Sequence, residues 1–537
     1  MKAIWDVNKN FNIDKSRNLG NTYTHPFVSD KICSKIGNKK QKRILDPSVG
    51  TGSFYYACLD NIDEYTEYDC YDIEKAALDM IDIQENTNLY HEDFLLSKND
   101  KKYSLIITNP PYISYGNIKH STMTKSEYIE AIKDNIDFDV LGIKREDIDL
   151  RSDIYIYFYL KCLSHLDDDG ELIFLCADKW LETRYGDVLR KILDSGNAGN
   201  NLRLKRLITS NFYPFFRDDT NAIGVYIRND GNDSGRDGNK IILNSVTDTN
   251  FTLTDEIIDV PINDPVHKTH NMKNRLIMYN ESYEYAQRIT KDFESLGAYM
   301  SLETSGLNFA TLLKEDKIQE QKNRGNIKLF YQKQARVNSP VIYRENLKEE
   351  DLKYYVNYSD VNLTRYNIHK NSVFYTMAID LYPRLFTYKE ECILSSKYVR
   401  LNPESIDTEN IPILMMSLPT LLVIEAFIKN GTKRSGRKNK RGVIKEIGGK
   451  QLLALPVFDF NILSDSEKKQ IHGNYEKYKN LTFFNIEDLI KNKNYIKNQE
   501  IICKKLNIDL DEIKEHLLYM YNVRIRDLEK LNLELID

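Results

Sequence analysis

The sequence contains no run of eighteen apolar residues, so no membrane-spanning helix is expected. Its first stretch, MKAIWDVNKNFNIDKSRN, lacks the apolar core of a secretory signal. The seven cysteines are scattered and form no C-x-x-C pair. That spacing argues against a zinc site, so no metal is expected, and it suits a reducing cytoplasm. There is no G-x-G-x-x-G fingerprint, no G-K-[ST] of a P-loop, and no internal repeat. Nor is there an excess of positive charge. The net charge is −5, so any surface for nucleic acid must be a local patch. What remains is ordinary for a globular protein: 41% apolar and 29% charged residues. At 537 residues the chain exceeds one core, and two or three domains are expected.

Strand-like and helix-like segments alternate in the N-terminal third. KRILDP (Lys42–Pro47) is a short apolar run closed by an acid and a proline, and the helix-like SFYYACLDNI follows Gly50 and Gly52. EYDCYDI (Glu67–Ile73) reads as a second strand, NLYHEDFL (Asn88–Leu95) as a third and YSLIITNPPY as a fourth. Strands spaced by helices predict an α/β fold with a doubly wound, mostly parallel sheet. Ligands bind such sheets at the carboxyl ends of the strands. Asp46, Asp72, Asp93 and Asn109 all fall there, and together they outline a crevice.

The glycines of DPSVGTGSF (Asp46–Phe54) let backbone approach a ligand closely. Asp72, at the next strand end, stands where an acid commonly accepts hydrogen bonds from two ribose hydroxyls. Asp93 can meet an adenine amino group, and Phe94 can pack on the adenine face. Nothing in the pattern suits a pyrophosphate, so S-adenosyl-L-methionine fits better than a dinucleotide.

The apolar strand YSLIIT stops at Asn109-Pro110-Pro111-Tyr112. A nucleobase amino group is a poor nucleophile because its lone pair is delocalised into the ring. Two acceptors on its N–H bonds pull it toward tetrahedral geometry and aim the lone pair. The Asn109 side-chain oxygen supplies one and the Pro110 carbonyl the other, while the prolines hold the turn rigid. Tyr112 offers a face on which an extruded base can stack.

With these residues in view, the chain resembles the N6-adenine DNA methyltransferases of restriction–modification type, in the order cofactor motifs, N-P-P-Y, recognition domain. GNTYTHPFVSDKI (Gly20–Ile32) resembles the family's first motif, with His25 inserted between Thr24 and Pro26. The resemblance implies the S-adenosylmethionine-dependent methyltransferase fold. It puts Thr24, Asp46 and Ser48 at the methionine end of the cofactor, with Gly50, Gly52 and Asn109 beside it. Asp72 then lies on the ribose, and Asp93 and Phe94 on the adenine. NFYPFFRDDTNAIGVYIR (Asn211–Arg228) resembles the motif that stacks on the second face of the flipped base. Phe216 is chosen for that ring, with Phe215 or Tyr213 as alternatives. Within RSDIYIYFYL, Tyr155, Phe158 and Tyr159 repeat at helical spacing and read as core. The thirty-nine residues between Tyr112 and Ser152 are expected to be a mobile element that orders around DNA.

Beyond about residue 270, SLETSGLNFATLL, KYVRLNPES and GGKQLLALPVFDF resemble pieces of the family's recognition domain. Gly431–Lys450 carries eight Lys or Arg against one Glu, with glycines whose N–H groups can meet phosphates. Arg434, Arg437, Lys438, Lys440 and Arg441 are the expected DNA contacts. The expected organisation is a catalytic domain over 1–260, a mixed α+β target-recognition domain over 261–460 and C-terminal helices over 461–537. The expected partner is double-stranded DNA, with a cognate restriction endonuclease as a separate protein, and the chain is expected to be a cytoplasmic monomer. Competing readings are a protein-glutamine or RNA-adenine methyltransferase, or an inactive DNA-binding subunit. Cytosine C5 methylation is disfavoured because the chain has no Pro-Cys dipeptide, and N4 methylation more often uses Ser or Asp in place of Asn109.

Overall fold

The structure, a computed structural model, describes residues 24–193, 200–209, 215, 222–230, 240–246, 252–259, 273, 280–304, 398–428, 448–479 and 485–525. It adds the short strands 326–330, 355–357, 372–376, 378–379, 385–388, 392–394, 430–434 and 443–446, and residues 481 and 483. The chain divides into two compact units between residues 277 and 278.

Among the described residues, the first unit is built on nine strands: β1 (Lys40–Asp46), β2 (Glu64–Asp72), β3 (Thr87–His91), β4 (Tyr103–Thr108), β5 (Leu166–Ala177), β6 (Leu202–Thr209), β7 (Ala222–Asn229), β8 (Lys240–Ser245) and β9 (Glu256–Asp259). Their order across the sheet is β3-β2-β1-β4-β5-β7-β6-β8-β9. The first five run parallel, with Asp46 level with Cys70 and Ile44 level with Leu105. β7 enters antiparallel between β5 and β6. This is the expected doubly wound α/β sheet. Chain order reverses between β1 and β4, and that switch point opens a crevice at the carboxyl ends of both strands.

The central strands are apolar because both faces are covered: Ile44, Leu45, Leu105, Ile106 and Ile107 have no solvent exposure. Helix α1 (Pro26–Cys33) packs beside α2 (Ser53–Asn61). His25, the insertion in the first motif, caps α1 by accepting from Phe27 N at 3.1 Å. The proline at the next position needs no N–H partner, so the insertion produces an orderly helix start. Asp169 and Gly170 lie inside β5, where Asp169 has φ 60° and the pairing with β4 shifts register.

The segment after Tyr112 corrects an expectation. The expected loop folds into α4 (Lys125–Lys133) and α5 (Phe138–Leu141), after α3 (Lys75–Leu78) in chain order. Thr124 and Glu127 form a capping box at the start of α4, and Gly142 ends α5 with φ 63°. Ile129, Ile132, Leu141 and Ile143 are buried, which anchors the segment. Helix α6 (Ile154–Ser164) follows with every residue buried, so Tyr155, Phe158 and Tyr159 are core, as expected.

In the second unit Met300–Thr304 pairs antiparallel with Tyr398–Pro403, joining two of the pieces read as recognition-domain sequence. Helices Asp465–Tyr475, Lys493–Leu506 and Leu510–Ile525 group with this unit.

Candidate active site

The glycine turn after β1 is shaped by two left-handed residues, Gly50 at φ 55° and Gly52 at φ 87°. A side chain at Gly52 would be strained by that angle, and its Cβ would stand 3.0 Å from the Tyr56 ring. The turn is tied to β2 twice. Val49 N donates to Tyr71 O at 3.0 Å, and Gly50 N donates to Asp72 Oδ2 at 2.9 Å.

Four residues from three separate stretches of sequence then interlock. Ser53 Oγ donates to Thr24 O at 2.9 Å, and Asn109 Nδ2 donates to Thr24 Oγ1 at 3.0 Å. Ser48 Oγ donates to Asn109 O at 3.1 Å. The Asn109 amide is thereby oriented, its nitrogen toward Thr24 and its oxygen turned the other way. Pro110 and Pro111 continue the wall of the same cleft.

Asp46 lies beneath this cluster at 1% exposure and accepts from Ser48 N at 3.1 Å. Burial pushes its carboxyl up to about 7, opposed by the bonds from Ser48 and Thr108. The raised value means that the stability Asp46 contributes is fully present below 3.8 and is lost as pH rises through about 7. Asp46→Asn keeps the acceptor for Ser48. It should flatten the fall in stability across that window, read from denaturant midpoints at a series of pH values. A wild-type slope in the variant would show that Asp46 does not titrate there.

The cleft is lined by Thr24, Ser48 and Asn109 on one side and by Asp72, Glu74 and Ala77 on the other, with the glycine turn between them. Two carboxylates line it, and none of the lining residues is Lys or Arg. Such a wall repels phosphates. It suits a ligand that brings hydroxyl donors or a positive charge.

Residues 55–216 match the Eco57I restriction-modification methylase family. The matched part begins within α2 and runs through the Asn-Pro-Pro-Tyr turn. The type II methyltransferase M.HincII of Haemophilus influenzae is 27% identical over 214 residues, 40% of this chain and 37% of that protein. M.AccI of Acinetobacter calcoaceticus is 24% identical over 35% of this chain and 33% of its own length. Among solved structures, the type IIG restriction endonuclease BpuSI aligns over 94% of this chain and 65% of that one, at 12% identity and TM-score 0.39. The family match and the curated relatives bear out the resemblance to restriction–modification methylases, while the matched stretch spans about a third of those curated relatives.

Not every expected residue of this methylase-like site falls in the cleft. Asp93 and Phe94 follow β3 and do not line it. Asp93 accepts from Leu95 N at 2.9 Å and from Tyr128 OH of α4 at 2.6 Å. Phe94 is 2% exposed, with Lys161 Nζ 4.6 Å above its ring and Tyr71 against its edge. Lys161 is itself buried and donates to Phe94 O and Ser97 O, which fixes this turn from below. Burial lowers its ammonium to about 8.

Tyr112 is part-buried, and its hydroxyl reaches Leu175 O at 3.4 Å. Phe215 is 4% exposed within the core cluster, so its ring is already packed. Tyr213 and Phe216 lie outside the described residues. Arg434 ends a strand (Asn430–Arg434) that pairs with Val443–Glu446, whereas Arg437, Lys438, Lys440 and Arg441 lie outside the described residues. The sequence reading missed Glu74, Thr51 and Ala77 as cleft residues. Glu74 stands two positions after Asp72, and that spacing was the available signal.

No described helix is long and apolar enough to cross a membrane, and no metal-binding cluster occurs among the described residues.

Proposed function

We propose that this chain is an S-adenosylmethionine-dependent methyltransferase that acts on N6 of an adenine flipped out of duplex DNA. The observation that carries the reading is the Asn109 amide, held in a fixed orientation at the sheet's switch point beside a cleft with two carboxylates and no lining cation. S-adenosylmethionine, when bound, supplies a methyl group on a cationic sulfur. Thr24, Ser48 and Asn109 would hold its methionine end, and the carboxylates across the glycine turn its ribose. Asp93 and Phe94 are assigned to its adenine, which requires this turn to approach the ligand.

Asn109 Oδ1 and the Pro110 carbonyl accept from the two N–H bonds of the target amino group. They draw its lone pair out of the ring and aim it. No side chain need remove a proton first, because the amino group becomes acidic once methylated, and the proton can then leave to water. Tyr112 stacks on one face of the base and Phe216 on the other. Residues 1–260 are assigned to catalysis, 261–460 to target recognition and 461–537 to helices that complete it.

The test is long-read sequencing of DNA from cells expressing the protein, scored for modified adenines and their flanking sequence. Finding methylated cytosine, or no modified base beside active wild-type protein, would overturn the adenine assignment.

The basic run Gly431–Lys450 is assigned to the DNA backbone. If about six of its cations displace counterions, affinity should fall about 10³-fold between roughly 50 and 200 mM salt. Replacing Arg434, Arg437, Lys438 and Lys440 by glutamine should flatten the log–log salt slope by up to about 0.9 for each phosphate no longer neutralised. Cofactor binding should not change. An unaltered slope would send the search for the DNA surface elsewhere.

A further inference from the structure

An aspartate at a helix N-cap ordinarily accepts from the first N–H groups of its own helix. Asp153 holds that position at α6, and its side chain makes no such bond. Both carboxylate oxygens are used elsewhere. Oδ1 accepts from Tyr115 N at 2.9 Å, and Oδ2 accepts from Tyr185 OH at 3.0 Å. Tyr115 lies three residues beyond Tyr112, and Tyr185 lies in the short turn Arg184–Gly186 after β5. One carboxylate thus joins the segments that leave the carboxyl ends of β4 and β5.

The surroundings leave this junction little play. Ile154 N donates to Ile113 O at 3.0 Å, so the start of α6 also holds the residue next to Tyr112. Lys125 Nζ, at the start of α4, donates to Tyr115 O at 2.8 Å and stands 4.5 Å from the centre of its ring. Tyr185 is fixed in turn. Its ring lies edge-on to the buried Tyr155 of α6. At the next residue, Gly186, a Cβ would stand 1.9 Å from Trp180 O, so the chain passes Trp180 too closely for a side chain. Asp153 therefore has a firmly seated partner in Tyr185 and transmits that constraint to Tyr115. Pro110 and Pro111 restrict the turn from the other direction. The freely rotating bonds between these two restraints are those of Tyr112, Ile113 and Ser114.

We propose that Asp153 is a positioning residue for the target base: through Tyr115 it holds the chain behind Tyr112, and so sets the ring on which the extruded base stacks. Asp153 does not line the cofactor cleft. The inference rests on the reading that Tyr112 stacks on a flipped adenine.

The test is methyl transfer from labelled S-adenosylmethionine to unmethylated DNA amplified in vitro, with kcat and KM for DNA separated. Calorimetric binding of S-adenosylhomocysteine is measured beside it. Asp153→Ala should lower kcat by about 10–10²-fold, since a displacement of about 1 Å in a reacting geometry costs up to about 10²-fold. The fall in kcat should exceed the rise in KM for DNA, and S-adenosylhomocysteine affinity should keep its wild-type value. Asp153→Asn keeps an oxygen for Tyr115 N, and its amide can donate to the Tyr185 hydroxyl oxygen, so it should restore most of kcat. Tyr185→Phe removes only the far anchor and should give a smaller loss than Asp153→Ala.

Wild-type kcat in Asp153→Ala would overturn the inference and leave the methyltransferase reading standing. An Asn variant as slow as the Ala variant would also overturn it, because charge and not hydrogen bonding would then be at work. So would a parallel loss of kcat and of S-adenosylhomocysteine affinity, which would mark a general loss of structure. Should Asp153→Ala fail to fold, Tyr185→Phe carries the test, and wild-type kcat in that variant would overturn the inference. Absence of methylated adenine with the wild-type protein would overturn both.

Discussion

Asn109→Ala is expected to lower methyl transfer by about 10²–10³-fold, equivalent to about 2.7–4 kcal/mol of transition-state stabilisation. The substitution removes the acceptor that acts most strongly as the amino group becomes tetrahedral and positive. In the structure the Asn109 nitrogen is engaged by Thr24, and its backbone carbonyl receives Ser48 Oγ. The backbone tie survives in the variant, so the turn should keep its course. Cofactor affinity should fall by a smaller factor than the rate, because Thr24 and Ser48 remain to hold the methionine end, and the main loss should appear in the single-turnover rate. Asn109→Asp retains acceptor oxygens but cannot donate to Thr24, so its rate should lie between the two. Near-wild-type turnover in Asn109→Ala would remove this residue from the proposed chemistry.

Arg524→Met should destabilise the second unit by about 3–5 kcal/mol, the cost of leaving a buried charge without its partner. Arg524 Nε and Nη2 each donate to a carboxylate oxygen of Glu425 at 2.8 Å, and both residues are 1% exposed. Glu425 lies in the apolar helix Leu418–Phe427 and Arg524 in Leu510–Ile525, so the pair links distant segments. The double variant Glu425→Leu/Arg524→Met removes both charges and should recover most of the loss. Chemical denaturation followed by circular dichroism measures both. A double variant no more stable than the single one would mean that packing at Arg524, and not its charge, sets the stability.

The order of strands and helices around the cleft was legible in the sequence because each element carries its signal locally. KRILDP, EYDCYDI and YSLIIT are short apolar runs ended by acid, amide or proline, and each became a strand within a few residues of its expected bounds. An acid or amide at a strand's carboxyl end is a property of sequence position alone, so the order of residues suffices to bring Asp46, Asp72 and Asn109 to one edge of the sheet, where Asp72 and Asn109 line the cleft. The buried tyrosines of α6 followed from helical spacing in the same way.

Tertiary structure decided what depends on direction and on partners distant in sequence. Whether the thirty-nine residues after Tyr112 form a loop or a packed pair of helices turned on burial of Ile129, Ile132 and Leu141 against the rest of the unit. Local polarity had concealed that packing. Phe94 and Asp93 carry the right chemistry at the right place in the chain. Even so, Lys161 and Tyr128, from elements 35 or more residues away, already contact them. Sequence determined which chemical groups reach the cleft, because strand ends are local. Only the fold decided which groups are already engaged by other side chains, because hydrogen-bond partners are assigned in three dimensions.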